Sequence, residues 1–129
     1  MGMPEKREMD FGILTKIGLQ PIAFDKDQKV FEQGSTGHEM FLVRKGRLAI
    51  VVNGEQIEEV GVGGVFGEMG LIDGSPRSAT VIALEPCEVV PVSERSFVYL
   101  VHETPFFALD VMRALAGRIR RMNEKIIVP

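Results

Sequence analysis

In 129 residues the chain has no tryptophan, one tyrosine, one cysteine and two histidines, and each scarcity removes a class of chemistry. A lone cysteine, Cys87, rules out a disulfide within the chain and agrees with a reducing, cytoplasmic setting. It stands between Pro86 and the apolar run EVVPV, where a small buried hydrophobe is the expected role. Metal binding needs converging His, Cys or carboxylate ligands. His38 and His102 are far apart in sequence, in different types of element, so both are expected at the surface and no metal is expected. No apolar run approaches the roughly 20 residues of a membrane span. The N-terminal MGMPEKREMDFG is charged without a following apolar stretch, unlike a secretory signal. Basic residues are not in excess: 15 Lys and Arg stand against 18 Asp and Glu, for a net charge of -3. That balance offers no electrostatic reason to approach a nucleic acid. Arg118, Arg120 and Arg121 form the one basic cluster, and their plainer reading is a solvated face near a helix C-terminus, where cations suit the macrodipole. Ser35, Ser75, Ser78, Ser93 and Ser96 are available as nucleophiles, but none stands in G-x-S-x-G. The residues themselves make no case for an enzyme.

What is present is ordinary globular material, 45% hydrophobic and 26% charged. The length is that of one domain, able to bury roughly two thirds of its unfolded surface in a single core. Short β-type runs follow one another between turn residues: LQPIAF, KVFEQG, EMFLVRKG, RLAIVVNG, QIEEVG, SATVIAL and CEVVPVS. Such spacing predicts an all-β sandwich or barrel. Asn53-Gly54 is a strong hairpin signal, and Lys45-Gly46 is taken as a turn of the same sort. Before these runs, Met9, Phe11, Ile13, Leu14 and Ile17 permit one or two helical turns, broken by Gly12 and Gly18. After them the period lengthens towards 3.6. Ser93 is a plausible N-cap, and Thr104-Pro105 restarts a longer helix through about Lys125. On that helix Ala108, Met112, Leu115, Ile119, Met122 and Ile126 are spaced as a heptad seam. The seam either packs on the β-structure or pairs with a second copy as a homodimer.

The stretch from Phe66 to Thr80, FGEMGLIDGSPRSAT, has the chemistry of an anion site. Gly67 frees the backbone to turn, Glu68 opens a short helical run through Leu71 and Ile72, and Asp73 to Pro76 form a loop closed by Arg77 and Ser78. A helical turn entered through glycine presents unpaired N–H groups that attract a phosphate. Arg77 adds a planar fork able to hold two phosphate oxygens. A carboxylate beside a phosphate would repel it unless it faced another part of the ligand, and Glu68 suits a sugar hydroxyl. The plainer alternative has Glu68 capping the helix and Arg77 pairing with Glu68 or Asp73 on the surface.

The whole stretch resembles the phosphate-binding cassette of cyclic nucleotide-binding domains, with FGEMGL, IDGSP and RSATV filling the family's pattern. VFEQGSTGHEMFLVRKGRLAIVV is similar to the family's earlier strands, and the helical C-terminus matches as well. The resemblance implies a mainly β fold: a jelly-roll-like antiparallel β-roll, or double-stranded β-helix, of about eight strands with N-terminal and C-terminal flanking helices. One domain would span 1–129, with a helical segment at about 5–17, the roll at 19–93, the cassette at 66–80 and helices at 94–127. It further implies a non-catalytic sensor of a cyclic nucleotide, cyclic AMP first and cyclic GMP as the alternative, with no cofactor. Glu68 would bind the ribose 2′-hydroxyl. Arg77 and Ser78 would hold the cyclic phosphate, together with N–H groups near Gly67, Met69 and Ala79. Phe66 and Gly70 belong to the same cassette, and Val65, Leu71 and Val81 would line the sugar and base. Met122 and Asn123 on the long helix would meet the base, although Met122 replaces a hydroxyl residue common in bacterial cyclic AMP receptors. Many bacterial members carry a helix-turn-helix after this helix; the present sequence reaches Pro129 without one, so sensing without DNA binding is the expectation for this form. The alternative reading is the sensor half of a DNA-binding transcriptional regulator or of a larger signalling protein; a cupin-like enzyme, which would want a His-rich site, is less favoured, and one cysteine excludes a Cys-ligated iron–sulfur sensor.

Overall fold

The computed structural model describes residues 11–126. A short helix, α1 (Phe11–Lys16), leads into β1 (Ile22–Phe24), β2 (Lys29–Phe31), β3 (Met40–Lys45), β4 (Leu48–Val52), β5 (Glu55–Val60) and β6 (Val65–Phe66). Helix α2 (Glu68–Asp73) separates β6 from β7 (Thr80–Ala83) and β8 (Cys87–Val92), and α3 (Glu94–Glu103) and α4 (Phe106–Ile126) complete the chain. The strands make two four-stranded antiparallel sheets, ordered β1-β8-β3-β6 and β2-β7-β4-β5. This is the antiparallel β-roll with flanking helices that the resemblance implied.

Side-chain alternation builds two cores from one sheet. On β3, Phe41 and Val43 point into the roll, where they meet Leu48, Ile50 and Val81 of the facing sheet. Met40 and Leu42 point the other way, to Leu14, Leu100, Phe107 and Val111 of the helices. Cys87 and Val89 on β8 face inward while Val90 and Val92 face the helices. A strand covered on both faces loses the polar half of its alternation, and Met40 to Val43 are accordingly all buried.

Each of the seven expected β-runs contains a strand, and the two-residue β6 adds an eighth. Asn53 and Gly54 both have positive φ, at 51° and 82°, as a type I′ hairpin requires. At Lys45-Gly46 only Gly46 does, so that turn is of another type. The Ser93 hydroxyl accepts from the Ser96 amide at 3.2 Å and caps α3. Gly12 lies within α1 rather than breaking it, and Gly18, at φ 90°, follows the helix end. The expected helical residues before Phe11, and those after Ile126, lie outside the described residues. Cys87 is buried, and burial raises its thiol pKa; His38 and His102 are exposed.

The seam on α4 is split by the fold. Leu115 packs towards the helix-side core, whereas Met112 and Ile119 are 58% and 59% exposed. The face that α4 turns inward runs through Phe107, Val111, Ala114 and Leu115. It is rotated from the heptad line because a helix lying on a sheet buries a wider stripe than a coiled-coil seam.

Candidate functional site

The site lies at one end of the roll, where β6, α2 and the start of β7 converge on the inner faces of β2 and β4. Glycine makes this approach possible. Gly67 precedes α2 with φ 77° and ψ 12°, and a Cβ there would stand 2.9 Å from Arg77 Nη1. Gly74, also left-handed at φ 71°, ends the helix and donates to Gly70 O. Asp73 then accepts from the Ser75 amide at 2.9 Å. That Ser75 contact, through hydroxyl and amide, lowers the Asp73 pKa.

Arg77 is 6% exposed. Its Nη1 donates to Gly67 O at 2.9 Å, and its Cζ stands 4.3 Å over the centre of the Phe31 ring. Burial lowers its pKa, with Glu39 and Glu68 acting in the opposite sense; an arginine in this setting is still a cation at neutral pH. Among the described residues Arg77 makes no ion pair within 4 Å, and the partners of the plainer reading are engaged elsewhere: Asp73 by Ser75, Glu68 by Arg118. A buried cation that faces a cleft with no ion-paired carboxylate among the described residues suits an anionic ligand, since an unpaired buried charge is otherwise costly.

The Glu68 carboxylate accepts from Arg118 Nη1 at 3.1 Å, and the two side chains are 17% and 13% exposed. Arg118 Nη2 also donates to Val65 O, while its Nε is buried and has no hydrogen-bond partner among the described residues. Thus α4 reaches the site through an arginine. This corrects the reading of a solvated face for Arg118 alone, since Arg120 and Arg121 are exposed. Arg118 is drawn inward, and Arg121 Nε meets Glu58 Oε2 at 3.0 Å. Lys125 Nζ donates to Ile57 O at 2.8 Å, so the end of α4 is tied to β5 as well.

A small cleft, open to solvent, lies between these groups. Phe66, Gly67, Glu68, Met69 and Gly70 line it from one side, and Arg77, Ser78, Ala79 and Val81 from the other. Four candidate residues do not reach it. Leu71 turns towards the helix-side core, as does the fully buried Val65. Met122 is half-buried and Asn123 exposed, about one turn beyond Arg118, and neither lines the cleft. Phe31, Ile50 and Arg118 line it without having been candidates. For Arg118 a signal did exist: on α4 it lies seven residues from Val111 and four from Ala114, on the inward face. The cleft therefore has a cationic end at Arg77, a carboxylate at Glu68 and apolar walls, a set of groups able to hold an anion, a hydroxyl and a flat apolar ring at once. Among the described residues no group of three or more His, Cys, Asp or Glu could hold a metal ion, and no helix is long and apolar enough to cross a membrane.

A model of the family described as cyclic nucleotide-binding domain matches residues 21–104. A cAMP-dependent protein kinase regulatory subunit of Colletotrichum trifolii is 34% identical over 82% of this chain and 29% of that protein. A cyclic AMP receptor protein of Thermus thermophilus is 28% identical over 80% of this chain and 50% of its own length. The chain thus spans half or less of these two relatives. A cyclic nucleotide-binding domain from Methylobacillus flagellatus superposes with a TM-score of 0.73 at 26% identity, covering 84% of this chain and 66% of that one. On this family match and this fold, the chain belongs to the cyclic nucleotide-binding domain family.

Proposed function

We propose that the chain is a non-catalytic sensor that binds cyclic AMP in this cleft and regulates a larger signalling protein or assembly. The observation that carries the reading is Arg77: a buried guanidinium with no carboxylate within ion-pair distance among the described residues, in a cleft that Glu68 also lines. The cyclic phosphate takes the place of the missing counterion, with Ser78 and the amides near Gly67, Met69 and Ala79 completing its shell. The ribose 2′-hydroxyl donates to Glu68. Arg118 occupies only one oxygen of that carboxylate in its 3.1 Å contact, which leaves an acceptor for the sugar. The base lies against Val81 and the apolar wall. Cyclic AMP is favoured by two curated relatives named for it, and a single-domain sensor is consistent with all of the described residues sharing one roll and its helices.

Arg118 also gives α4 a means to respond. A ligand moves a helix only by contacting it differently in two states, and Glu68 is shared between ligand and helix. The exposed Met112 and Ile119 would then present a face for a second copy, with Met112→Glu and Ile119→Glu expected to reduce any dimer in light scattering. Leu115 is unsuited to that test because it packs on the core. Titration calorimetry with cyclic AMP, cyclic GMP and AMP tests the central reading. Saturable binding of cyclic AMP and none of AMP is expected. Absence of binding by ligand-free protein at millimolar cyclic nucleotide would overturn it.

A further inference from the structure

The cassette contains Arg77, but the groups that hold Arg77 in place come largely from elsewhere. The loop between β2 and β3, residues 32–39, runs beside it and is bonded to its main chain on both sides: Arg77 N donates to Ser35 O at 2.8 Å, and Gly34 N donates to Arg77 O at 2.7 Å. The same loop meets the side chain. A Cβ placed on Gly37 would lie 2.7 Å from Arg77 Nε and 2.8 Å from Cζ, and closer still to Nη2, and its three nearest neighbours are all atoms of this one guanidinium. Gly37 does not have a positive φ, so its backbone is open to any residue. What requires glycine there is the space that Arg77 occupies. The Phe31 ring also stands against this guanidinium, its centre 4.3 Å from Cζ, within cation–π range.

We infer that Gly37 and Phe31, both outside the cassette, are positioning residues that wall in the Arg77 guanidinium and pre-set it for the phosphate. The inference rests on the sensor reading and adds to it the part of the chain that sets affinity. A guanidinium already confined in its bound geometry has little freedom left to lose when ligand arrives, so affinity is gained without a further contact. Gly37→Ala would leave the backbone unstrained and push the guanidinium, the movable member of the contact, out of line.

The test compares wild type, Gly37→Ala, Arg77→Lys and the double variant, by cyclic AMP calorimetry and by melting of the ligand-free proteins. Gly61→Ala serves as control, because Gly61 has no positive φ and nothing within 4 Å of its added Cβ. Gly37→Ala is expected to weaken binding about tenfold or more, the effect of a lost orientation rather than of a lost charge, with a melting temperature close to that of Gly61→Ala. In the Arg77→Lys background, where no guanidinium fills this space, the added Gly37→Ala should cost little further affinity. Equal affinities of wild type and Gly37→Ala, or the same loss in both backgrounds, would overturn the inference while leaving the sensor reading intact. A wild-type protein that binds no cyclic nucleotide overturns both. Should Gly37→Ala fail to fold, Phe31→Leu removes the other wall, and unchanged affinity in that variant would sink the proposal equally.

Discussion

Two arginines enter the cleft from opposite ends of the chain's logic. Arg77 comes from a loop, is confined by glycine backbone and an aromatic ring, and has no carboxylate partner among the described residues. Arg118 comes from a long helix and is matched with Glu68 and a backbone carbonyl. Both are arginines with little exposure, yet one has no carboxylate partner among the described residues and the other is held by Glu68 and Val65 O. What separates them is partnership rather than exposure. A charge becomes a binding group when the fold solves its geometry and leaves its electrostatics unsolved.

The largest effect expected from this difference is at Arg77. Replacing it with Ala should cost about 3 to 5 kcal/mol of cyclic AMP binding, since one member of a buried charge pair is removed, and hence at least a hundredfold in affinity. The ligand-free fold should survive, because among the described residues the charge has no ion pair to lose. Calorimetry and melting of the same variant check both halves. A ligand-free protein that unfolds would show that Arg77 is structural after all.

Glu68 should matter less. Glu68→Ala removes a hydrogen bond between a hydroxyl and a charged acceptor, worth about 1.5 to 3 kcal/mol, or roughly tenfold to a hundredfold. A greater loss there than at Arg77 would reverse the assigned roles. Arg118→Ala sharpens the contrast from the other side. It should leave part of the phosphate affinity in place while costing about 1 to 3 kcal/mol of stability, as Glu68 and Val65 O lose their donor. Hydrogen exchange along residues 111–125 should quicken in that variant and stay unchanged in Arg77→Ala.

The legible and illegible parts of this site divide along sequence distance. Phe66 to Val81 is one contiguous stretch whose glycine, carboxylate and arginine each have a local chemical meaning, and nine of its residues line the cleft. The strands were equally plain where they ran three residues or more between turns; β6, two residues among glycines, had no period to read. Phe31 and Ile50 looked like any core-facing strand residue, since nothing local says which end of a roll they occupy. Gly37 has no local signal, because what demands glycine there is a side chain 40 positions away. Arg118 was hidden by its neighbours: beside Arg120 and Arg121 it looked like surface charge, and only the rotation of α4 on the sheet separates the three. The same rotation explains why Met122 and Asn123, placed at the base by family pattern, stand a turn away from the cleft.

The smallest effect concerns the second tie of α4, between Arg121 and Glu58, which differs from the Arg118 pair in lying at the rim. Glu58 is 8% exposed at its side chain but Arg121 is 52% exposed, so solvent screens the pair and it should be worth about 1 kcal/mol or less. Burial tends to raise the Glu58 pKa, but the Glu59 amide, Arg121 and Lys125 outweigh it and the net direction is down. A carboxylate whose pKa is lower folded than unfolded contributes stability above its unfolded value, near 4.3. That contribution is lost as pH falls through the lower folded value. Glu58→Gln should therefore melt a few degrees below wild type at pH 7, and the gap should close as pH falls below about 4. Nucleotide affinity at pH 7 should change little, because neither Glu58 nor Arg121 lines the cleft. If the gap instead stays constant with pH, the tie contributes by shape rather than charge. If affinity falls as far as in Glu68→Ala, the rim of α4 belongs to the binding site, and the division between a ligand arginine and structural ones must be redrawn.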